Sequence, residues 1–280
     1  MLTPARLGPN DMPDPLFSVV NEVVVISGVS GQLGFRYAQA FLTRGAQVMG
    51  LDLKGTLALD ELSTHYPERF SFCTCNVTQI DSLREALAAT RRIFGLPSVL
   101  INNAAIDSPP NAPLEETGPF EDYPDDSWDR VMDVNVKGVY LACKIFGSAM
   151  AANKRGSIIN ISSIYGVVSP DQSIYEYRRQ RGEIFYKPVA YAVSKSALLN
   201  LSRYLATYWA RTGVRVNTLV LAGVENGQDP EFLKAYCARM PLGRMADADE
   251  YSGAVIFLAS AASSYMNGAQ LVIDGGWTAI

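Results

Sequence analysis

The sequence predicts an α/β protein with a single domain, built on a doubly wound, Rossmann-like parallel sheet of about seven strands. First, short apolar runs rich in Val and Ile alternate with longer amphipathic stretches along most of the 280 residues. Second, these runs are continuously apolar, as expected for strands that helices cover on both faces. Third, a glycine-rich loop follows the first run and opens the first amphipathic stretch, which is typical of a nucleotide-binding fold.

Seven apolar runs have the length and composition of strands, and five longer stretches have helical periodicity. The predicted strands are 22–27, 46–51, 70–74, 98–102, 156–161, 214–220 and 269–273. The predicted helices include 32–44, 79–94, 128–152, 188–211 and 247–260. A sheet of this kind binds its ligand in a crevice at the carboxyl ends of its strands.

Three segments fall outside this pattern. Residues 1–18 carry prolines and charges where a signal peptide needs an apolar core, so we expect an N-terminal arm before a domain at 19–280. The loops 106–127 and 164–187 each follow a predicted strand. They should therefore emerge at the crevice, where long loops are often functional.

The composition argues against several classes of function. The net charge of −4 gives no general attraction to nucleic acid or to an anionic membrane, and no apolar run is long enough to cross a bilayer. The single histidine, His65, has no nearby partner for a metal, so we predict no metal site. The cysteines form neither a metal-binding pair nor a disulfide framework, which predicts buried thiols in a cytoplasmic protein: Cys73, Cys75, Cys143 and Cys237.

The stretch SGVSGQLG at 27–34 predicts a phosphate-binding loop. Gly28 permits a tight turn, Gly31 lets the backbone approach a pyrophosphate, and Gly34 lets the following helix pack close to the strand. The phosphates would then lie on the free N–H groups at the helix N-terminus. A plain glycine-rich turn is the alternative.

Asp52 ends the second predicted strand, eighteen residues after Gly34. A carboxylate there accepts hydrogen bonds from both hydroxyls of an adenosine ribose and repels a 2′-phosphate. This favours NAD over NADP, although the nearby Lys54 would weaken the preference.

The stretch YAVSK at 191–195 places Tyr191 and Lys195 on one face of a predicted helix. A cation beside a phenol lowers the phenol pKa, so Tyr191 would be a usable acid and base near neutral pH. The spacing alone is weak support, because YLACK at 140–144 has it too, within a long helix. The context differs: the stretch NISS at 160–163 brings hydroxyl groups to the crevice just before YAVSK.

With these stretches, the chain resembles a short-chain dehydrogenase/reductase from about residue 20 to 280. Further matching stretches are NNAA at 102–105, VMDVNVKG at 131–138, GVRVN at 213–217 and NGAQLVIDGGW at 267–277. The resemblance implies hydride transfer between a nicotinamide and a secondary alcohol or ketone.

The resemblance also implies catalytic roles. Tyr191 would exchange a proton with the substrate oxygen, and Lys195 would hold the nicotinamide ribose and tune Tyr191. Ser163, in preference to Ser162, would orient the substrate oxygen. Asn135 would support a water-mediated proton path to Lys195.

The cofactor would lie along the carboxyl ends of the strands. Asn102 would line it, and Asn76 stands where the family commonly has an aspartate facing the adenine. The residues that the resemblance assigns to cofactor binding are Gly28, Ser30, Gly31, Gln32, Leu33, Gly34, Asp52, Asn76, Val77, Asn103, Ala104, Tyr191, Lys195, Gly223 and Val224.

The chain departs from the common pattern of single-domain members. Its glycines fit GxxGxxG, with Gln32 where the usual GxxxGxG spacing has glycine, and GxxGxxG is common among members that act on nucleotide sugars. The interval from Ser163 to Tyr191 is also longer than usual. Ala222-Gly223 replaces the usual Pro-Gly, which would loosen the loop over the nicotinamide.

The loop 164–187 suggests a substrate. Arg178, Arg179 and Arg181 could grip a phosphate, and Tyr165 lies at the start of the loop. The stretch SPDQSIYE also resembles dehydrogenases of bacterial surface-glycan and nonulosonic-acid pathways. We therefore hypothesise a nucleotide-linked or phosphorylated sugar as substrate. A solvated loop or a subunit contact explains the same charges equally well.

Two other functions remain open at this point: a reductase of 3-oxoacyl thioesters or small ketones, and a sensor that binds NAD without catalysis. The family resemblance further implies a homodimer or homotetramer. The helix 188–211 carries an apolar stripe that faces either a partner subunit or its own sheet: Leu198, Leu201, Leu205, Tyr208 and Trp209.

Overall fold

The computed structural model describes residues 14–107 and 114–280. Most of the expected arm at 1–18 therefore lies outside the described residues, as does part of the loop 106–127. Within the described part of the arm, Pro15–Phe17 forms a 3₁₀ turn. The Phe17 ring lies 6.4 Å from the ring of Phe257, so this turn rests on the body of the domain.

Seven parallel strands form one sheet in the order β3-β2-β1-β4-β5-β6-β7, which confirms the predicted fold class. The strands are β1 Val23–Ser27, β2 Gln47–Asp52, β3 Phe70–Thr74, β4 Val99–Asn102, β5 Gly156–Ser163, β6 Val214–Leu221 and β7 Gln270–Ile273. The strand order reverses between β1 and β4, where such sheets open their crevice. In register, Ser27 pairs with Asn102, and Asn102 pairs with Asn160.

Nine helices accompany the sheet in the part of the chain that the structure describes. They are α1 Gln32–Leu42, α2 Leu57–His65, α3 Ile80–Ile93, α4 Leu114–Thr117, α5 over 125–152, α6 Glu176–Gln180, α7 Val189–Tyr208, α8 Pro230–Cys237 and α9 Ser252–Ala259. The helix α5 is interrupted by π-helical turns at Asp133–Gly138 and Cys143–Gly147. Helices α2 and α8 were not predicted from the sequence, and α4 and α6 lie in segments that were predicted as loops.

Two apolar clusters fill the two faces of the sheet. One contains residues of α1 and α9 and the other residues of α3, α5 and α7. The predicted stripe on α7 faces its own sheet, because Leu198 and Trp209 are buried in the second cluster and Leu201 and Leu205 pack against it. Tyr208 is the exception, being 68% exposed and stacked on Tyr204.

A third apolar cluster lies at the crevice and fixes the position of the loop 164–187. Its buried members come from that loop, from α8 and from the segments around them: Ile164, Tyr165, Ile174, Tyr175, Phe185, Ala222, Tyr236, Met240 and Met245. The ring of Tyr175 lies 4.6 Å from that of Phe185 and 5.7 Å from that of Phe232. The loop therefore has an apolar core of its own instead of projecting into solvent.

Over the residues described, no helix is both long and apolar enough to cross a membrane. The same residues contain no cluster of His, Cys, Asp and Glu that could hold a metal ion. All four cysteines are free thiols: Cys75 and Cys143 are buried, and Cys73 and Cys237 are partly exposed.

Candidate active site

The turn after β1 requires glycine for steric reasons. Gly28 has a φ of 70°, and a Cβ there would meet Ala104 Cα at 2.8 Å. A Cβ on Gly34 would lie 2.1 Å from the Gly28 carbonyl oxygen, so the helix can start this close to the strand only with glycine. A Cβ on Gly31 would meet only the Gly28 oxygen, at 3.5 Å. Protein packing therefore does not demand glycine at 31, whereas close approach of a ligand would.

The loop is fastened to the end of β4. Asn103 donates from Nδ2 to the carbonyl oxygens of Ser27 and Gly28, at 3.2 and 3.1 Å. The Ser27 hydroxyl accepts from the backbone N–H groups of Asn103 and Ala104, at 3.1 and 3.2 Å. These contacts bring the predicted residues 103 and 104 against the glycine loop.

Gln32 links two loops of the crevice. Its Nε2 donates to the carbonyl oxygen of Glu225 at 2.9 Å, which joins the glycine loop to the segment after β6. Val224 pairs with Ala246 in an isolated bridge. A glycine at position 32 could not make this connection, which gives the departure from the common spacing a structural reason.

The carboxylate of Asp52 is directed at the glycine loop. It accepts from the Ser30 N–H at 3.0 Å and from the Leu53 N–H at 2.7 Å. Each carboxylate oxygen retains a second lone pair for a ribose hydroxyl. The Ser30 hydroxyl donates to the carbonyl of Lys54 at 2.5 Å.

Asn76 and Val77 form the wall beyond β3. The Asn76 Oδ1 accepts from the N–H and the hydroxyl of Thr78, at 3.0 and 2.8 Å, and so closes a local turn. Val77 packs against Gly138 so closely that a Cβ there would lie 2.8 Å from the valine Cγ2. The first π-helical turn of α5 is thereby held at the edge of the crevice.

The segment after β6 is firmly held despite the absence of proline at position 222. The Ala222 N–H donates to the Ile273 carbonyl at 3.3 Å, a bond that proline could not make. The Tyr251 hydroxyl donates to the Ala222 carbonyl, and the Gly223 N–H donates to the Tyr236 hydroxyl at 2.8 Å. These bonds fix Ala222 and Gly223, and the looser loop beyond them stays a prediction.

Together these residues suit a nicotinamide dinucleotide. The open glycine loop at the N-terminus of α1 would hold the pyrophosphate, Asp52 the adenosine ribose, and Lys195 and Val224 the nicotinamide end. When bound, such a cofactor supplies the hydride donor or acceptor.

Three of the four catalytic candidates meet in a cavity of about 330 Å³ that shares Asn103 and Val224 with this groove. Ser163, Tyr191 and Lys195 line it, and the Ser163 hydroxyl lies close enough to that of Tyr191 to lower the tyrosine pKa. The Lys195 ammonium lies 5.7 Å from the centre of the Tyr191 ring. The Ser162 hydroxyl instead donates to the Lys195 carbonyl at 2.8 Å, so Ser163 stays the predicted partner of a substrate oxygen.

Lys195 is a buried cation with one neutral partner. The residue is only 4% exposed, and its Nζ donates to the Ile161 carbonyl at 3.0 Å. Burial lowers the pKa of this ammonium to about 8, with the charge of Asp107 acting in the opposite direction. The proton on Lys195 is therefore labile near neutral pH.

The Tyr191 hydroxyl does not show the lowered pKa that the sequence suggested. Although the side chain is only partly buried, its dense surroundings raise the pKa above the ordinary value for tyrosine. Asp107 raises it further, while the Ser163 hydroxyl lowers it. In the protein without cofactor, Tyr191 is therefore a neutral phenol that is ready to donate a proton.

Asn135 holds the crevice together through its π-helical turn. Its Oδ1 accepts from the Ile106 N–H at 2.7 Å, and its Nδ2 donates to the Ile106 carbonyl and to the Ser194 hydroxyl, at 2.9 and 3.0 Å. The segment after β4 is thus tied to the helix that carries Tyr191. The predicted water-mediated path to Lys195 stays a prediction.

The structure does not bring Arg178, Arg179 and Arg181 into this cavity. Arg178 pairs with Glu183 at 2.5 Å and stacks over the Phe185 ring. Arg179 donates to the carbonyl oxygens of Phe185 and Gln172, at 3.2 and 2.9 Å. Arg178 and Arg179 therefore stabilise the conformation of the loop 164–187. Their contacts do not support the expected binding of a phosphate.

Arg181 joins that loop to the start of α8, because its guanidinium contacts Asp229 at 3.0 Å. We expect Arg181→Ala to change kcat/KM less than about twofold, since an exposed ion pair contributes little. Steady-state kinetics with the substrate that turns over would measure this. A drop of a hundredfold would restore a direct role in substrate binding, and Lys234→Ala on the neighbouring helix is the matched control.

Two polar groups of the cavity were not predicted from the sequence. Tyr165 was expected and is present, but Asp107 and Tyr236 also line the cavity. Asp107 was detectable as the first charge after NNAA at the crevice edge. Tyr236 was not, because it lies on α8, a helix that the sequence did not reveal.

A phosphate-binding loop and a Ser–Tyr–Lys cluster in one crevice define an oxidoreductase that uses a nicotinamide dinucleotide. The chain matches the family model described as enoyl-(acyl carrier protein) reductase over residues 28–278. It is 32% identical over 271 residues to 2-(R)-hydroxypropyl-CoM dehydrogenase of Xanthobacter autotrophicus, which covers 93% of this chain and 100% of that protein.

Two further comparisons also find dehydrogenases. The chain is 29% identical over 273 residues to an NAD-dependent glycerol dehydrogenase of Listeria innocua, which covers 95% of this chain and 97% of that protein. A gluconate 5-dehydrogenase of Burkholderia cenocepacia, crystallised with NADP and tartrate, superposes with a TM-score of 0.81 at 26% identity, covering 95% of this chain and 98% of that one. The chain belongs to the short-chain dehydrogenase/reductase family and is an NAD(P)-dependent oxidoreductase of CH–OH groups.

Proposed function

We propose that the protein interconverts a secondary alcohol and a ketone on a small polyhydroxylated substrate, with NAD as its cofactor. The observation that carries the proposal is the cavity of about 330 Å³ in which Ser163, Tyr191 and Lys195 meet a wall of further polar groups. This volume lies at the small end of ligand pockets, and the nicotinamide would occupy part of it. The names of relatives that act on glycerol or gluconate support a substrate of this size.

In the oxidising direction, the Tyr191 phenol first releases its proton to solvent, and the phenolate oxygen then takes the proton of the substrate hydroxyl as the carbon passes its hydride to the cofactor. The Ser163 hydroxyl, which lines the cavity beside Tyr191, holds the substrate oxygen between them. The Lys195 ammonium stabilises the negative charge on the phenolate, and its pKa of about 8 lets it pass a proton onward. In the reducing direction Tyr191 returns the proton to the oxygen.

A nucleotide sugar as substrate has weaker support. It would need cationic groups for its phosphates, and the three arginines considered for that purpose are bonded within their own loop or to Asp229. The surface-glycan resemblance of SPDQSIYE accordingly adds no ligand contact.

The thioester-reductase alternative has one finding in its favour, the description of the matching family model. A panel of alditols, ketoses, aldonates, nucleotide sugars, small ketones and 3-oxoacyl thioesters, each assayed with NAD(H) and NADP(H), tests all of these functions. We expect turnover of alditols or ketoses. Turnover of thioesters or small ketones alone would replace our proposal with that alternative, and tight NAD binding without any turnover would favour the sensor.

We expect Asp52→Asn to raise the kcat/KM with NADP relative to that with NAD by about tenfold, because the charge that repels a 2′-phosphate is removed while an acceptor oxygen remains. Kinetics with both cofactors would measure the ratio. Asp60→Asn, which removes an exposed carboxylate on α2, is the control. An unchanged ratio would show that Asp52 does not select the cofactor.

A cytoplasmic location and assembly into a homodimer or homotetramer remain part of the proposal. Tyr204 and Tyr208 support assembly, because they expose 63% and 68% of their surface as a stacked aromatic pair on α7. Exposed aromatic pairs of this kind are common in the cores of interfaces.

A further inference from the structure

The Lys187 ammonium is buried beside the catalytic tyrosine. The side chain is 8% exposed, and Nζ lies 2.5 Å from an Asp107 oxygen and 4.8 Å from the centre of the Tyr191 ring. Gln172 fixes the backbone of Lys187 from both sides, accepting from its N–H at 2.9 Å and donating to its carbonyl at 3.2 Å. A lysine this deeply buried requires a charged partner, and Asp107 supplies it.

The Asp107 carboxylate faces the same cavity. Its side chain is 48% exposed, and the residue lines the cavity together with Lys187. Its negative charge raises the pKa values of Tyr165, Tyr175 and Tyr191. The charge of the Asp107 carboxylate therefore acts on all three of these phenol groups.

The Tyr165 hydroxyl is the third polar group of the wall. The residue is only 8% exposed, and among the described residues its oxygen has no partner in hydrogen-bonding geometry, although the Tyr175 hydroxyl is close enough to raise its pKa. A buried hydroxyl without a partner is destabilising, so a ligand that offers a partner gains affinity. Tyr165 also belongs to the lining of the cavity.

An ion pair of this kind recognises an uncharged hydroxyl better than an anion. A substrate hydroxyl can donate to the Asp107 carboxylate and accept from Lys187 or Tyr165. A substrate carboxylate or phosphate would find the lysine charge already neutralised and the Asp107 charge within repulsive range.

From this geometry we propose that Asp107, Lys187 and Tyr165 form a specificity site for a neutral hydroxyl-bearing carbon next to the reacting carbon. The site selects alditols and ketoses over sugar acids and sugar phosphates. This inference rests on the proposed function and adds a discrimination by charge that the family assignment does not contain.

The first test uses the unmodified protein. We expect the kcat/KM of an alditol to exceed that of the aldonate of equal chain length by at least about tenfold, because only the aldonate meets the Asp107 charge. Equal or faster turnover of the aldonate would overturn the inference. If no alditol, ketose or aldonate is turned over, the proposed function itself fails.

The second test reverses the selectivity. We expect Asp107→Asn to lower the kcat/KM of the alditol and to raise the aldonate-to-alditol ratio by about tenfold or more, because Lys187 is then free to bind an anion. Tyr165→Phe should raise the KM of the alditol and leave the affinity for NAD unchanged. Asp129→Asn, which removes an exposed carboxylate on α5, is the matched control.

An Asp107→Asn protein that turns over the alditol with the wild-type ratio would overturn the inference and leave the proposed function intact. Urea denaturation of each variant separates a loss of folding from a loss of recognition. The first test does not depend on any variant.

Discussion

Tyr191→Phe is expected to lower kcat by about a thousandfold while the affinity for NAD stays within a few-fold of that of the native protein. The substitution keeps the ring, which the Lys187 and Lys195 ammonium groups flank at 4.8 and 5.7 Å, and removes only the oxygen that exchanges the proton. A loss of this size is typical when a general acid or base is removed. Single-turnover kinetics with the preferred alcohol and a fluorescence titration with NADH would measure the two quantities.

The chain provides its own control for this substitution. Tyr140 has a lysine four residues later with nearly the same geometry, since the Lys144 ammonium lies 5.9 Å from the Tyr140 ring centre. Tyr140 is 47% exposed on α5 and is absent from the cavity lining. Tyr140→Phe should therefore leave kcat unchanged. Equal activity of Tyr191→Phe and Tyr140→Phe would remove the tyrosine from the mechanism.

Lys195→Met is expected to abolish most activity and to change how stability depends on pH. In the folded protein the Lys195 pKa is lowered to about 8, whereas an unfolded chain restores a value near 10.5. Between these two values the unfolded state binds more protons than the folded state, so the stability of the native protein rises with pH. Methionine has no proton to lose, and the variant lacks this contribution.

The free energy of unfolding of the native protein should therefore rise by up to about 3 kcal/mol relative to the variant between pH 8 and 10.5. Below pH 8 the ammonium is charged in both states and the difference is constant. Urea denaturation at several pH values would measure this difference. Lys144→Met, which removes an exposed lysine of α5, should show a flat difference, and a flat result for Lys195→Met would contradict the burial of its charge.

The strands of the sheet were predictable because they are apolar runs with little ambiguity. The ends of the strands were less predictable. The strand β5 was predicted to stop at Ile161 but continues to Ser163, because the polar serines still pair with β6 as far as Leu221. The helix α8 escaped prediction because it is a single short element in a segment of mixed polarity.

The grouping of Ser163, Tyr191 and Lys195 in one cavity was also predictable, because Tyr191 and Lys195 are close in sequence and Ser163 ends a strand. Contacts between residues that are distant in the sequence were not predictable. Arg181 pairs with Asp229, 48 residues away, and the sequence shows the arginine without showing its partner. The same holds for Lys187, whose partner Asp107 lies 80 residues away on another loop.

The most direct test is a crystal structure of the protein with NAD and an alditol or its ketose product. We predict that the reacting oxygen lies within hydrogen-bond distance of the Tyr191 and Ser163 hydroxyls, and that a neighbouring hydroxyl contacts Asp107 and Lys187. A Tyr191 hydroxyl turned away from the substrate, with the dinucleotide in place, would contradict the account.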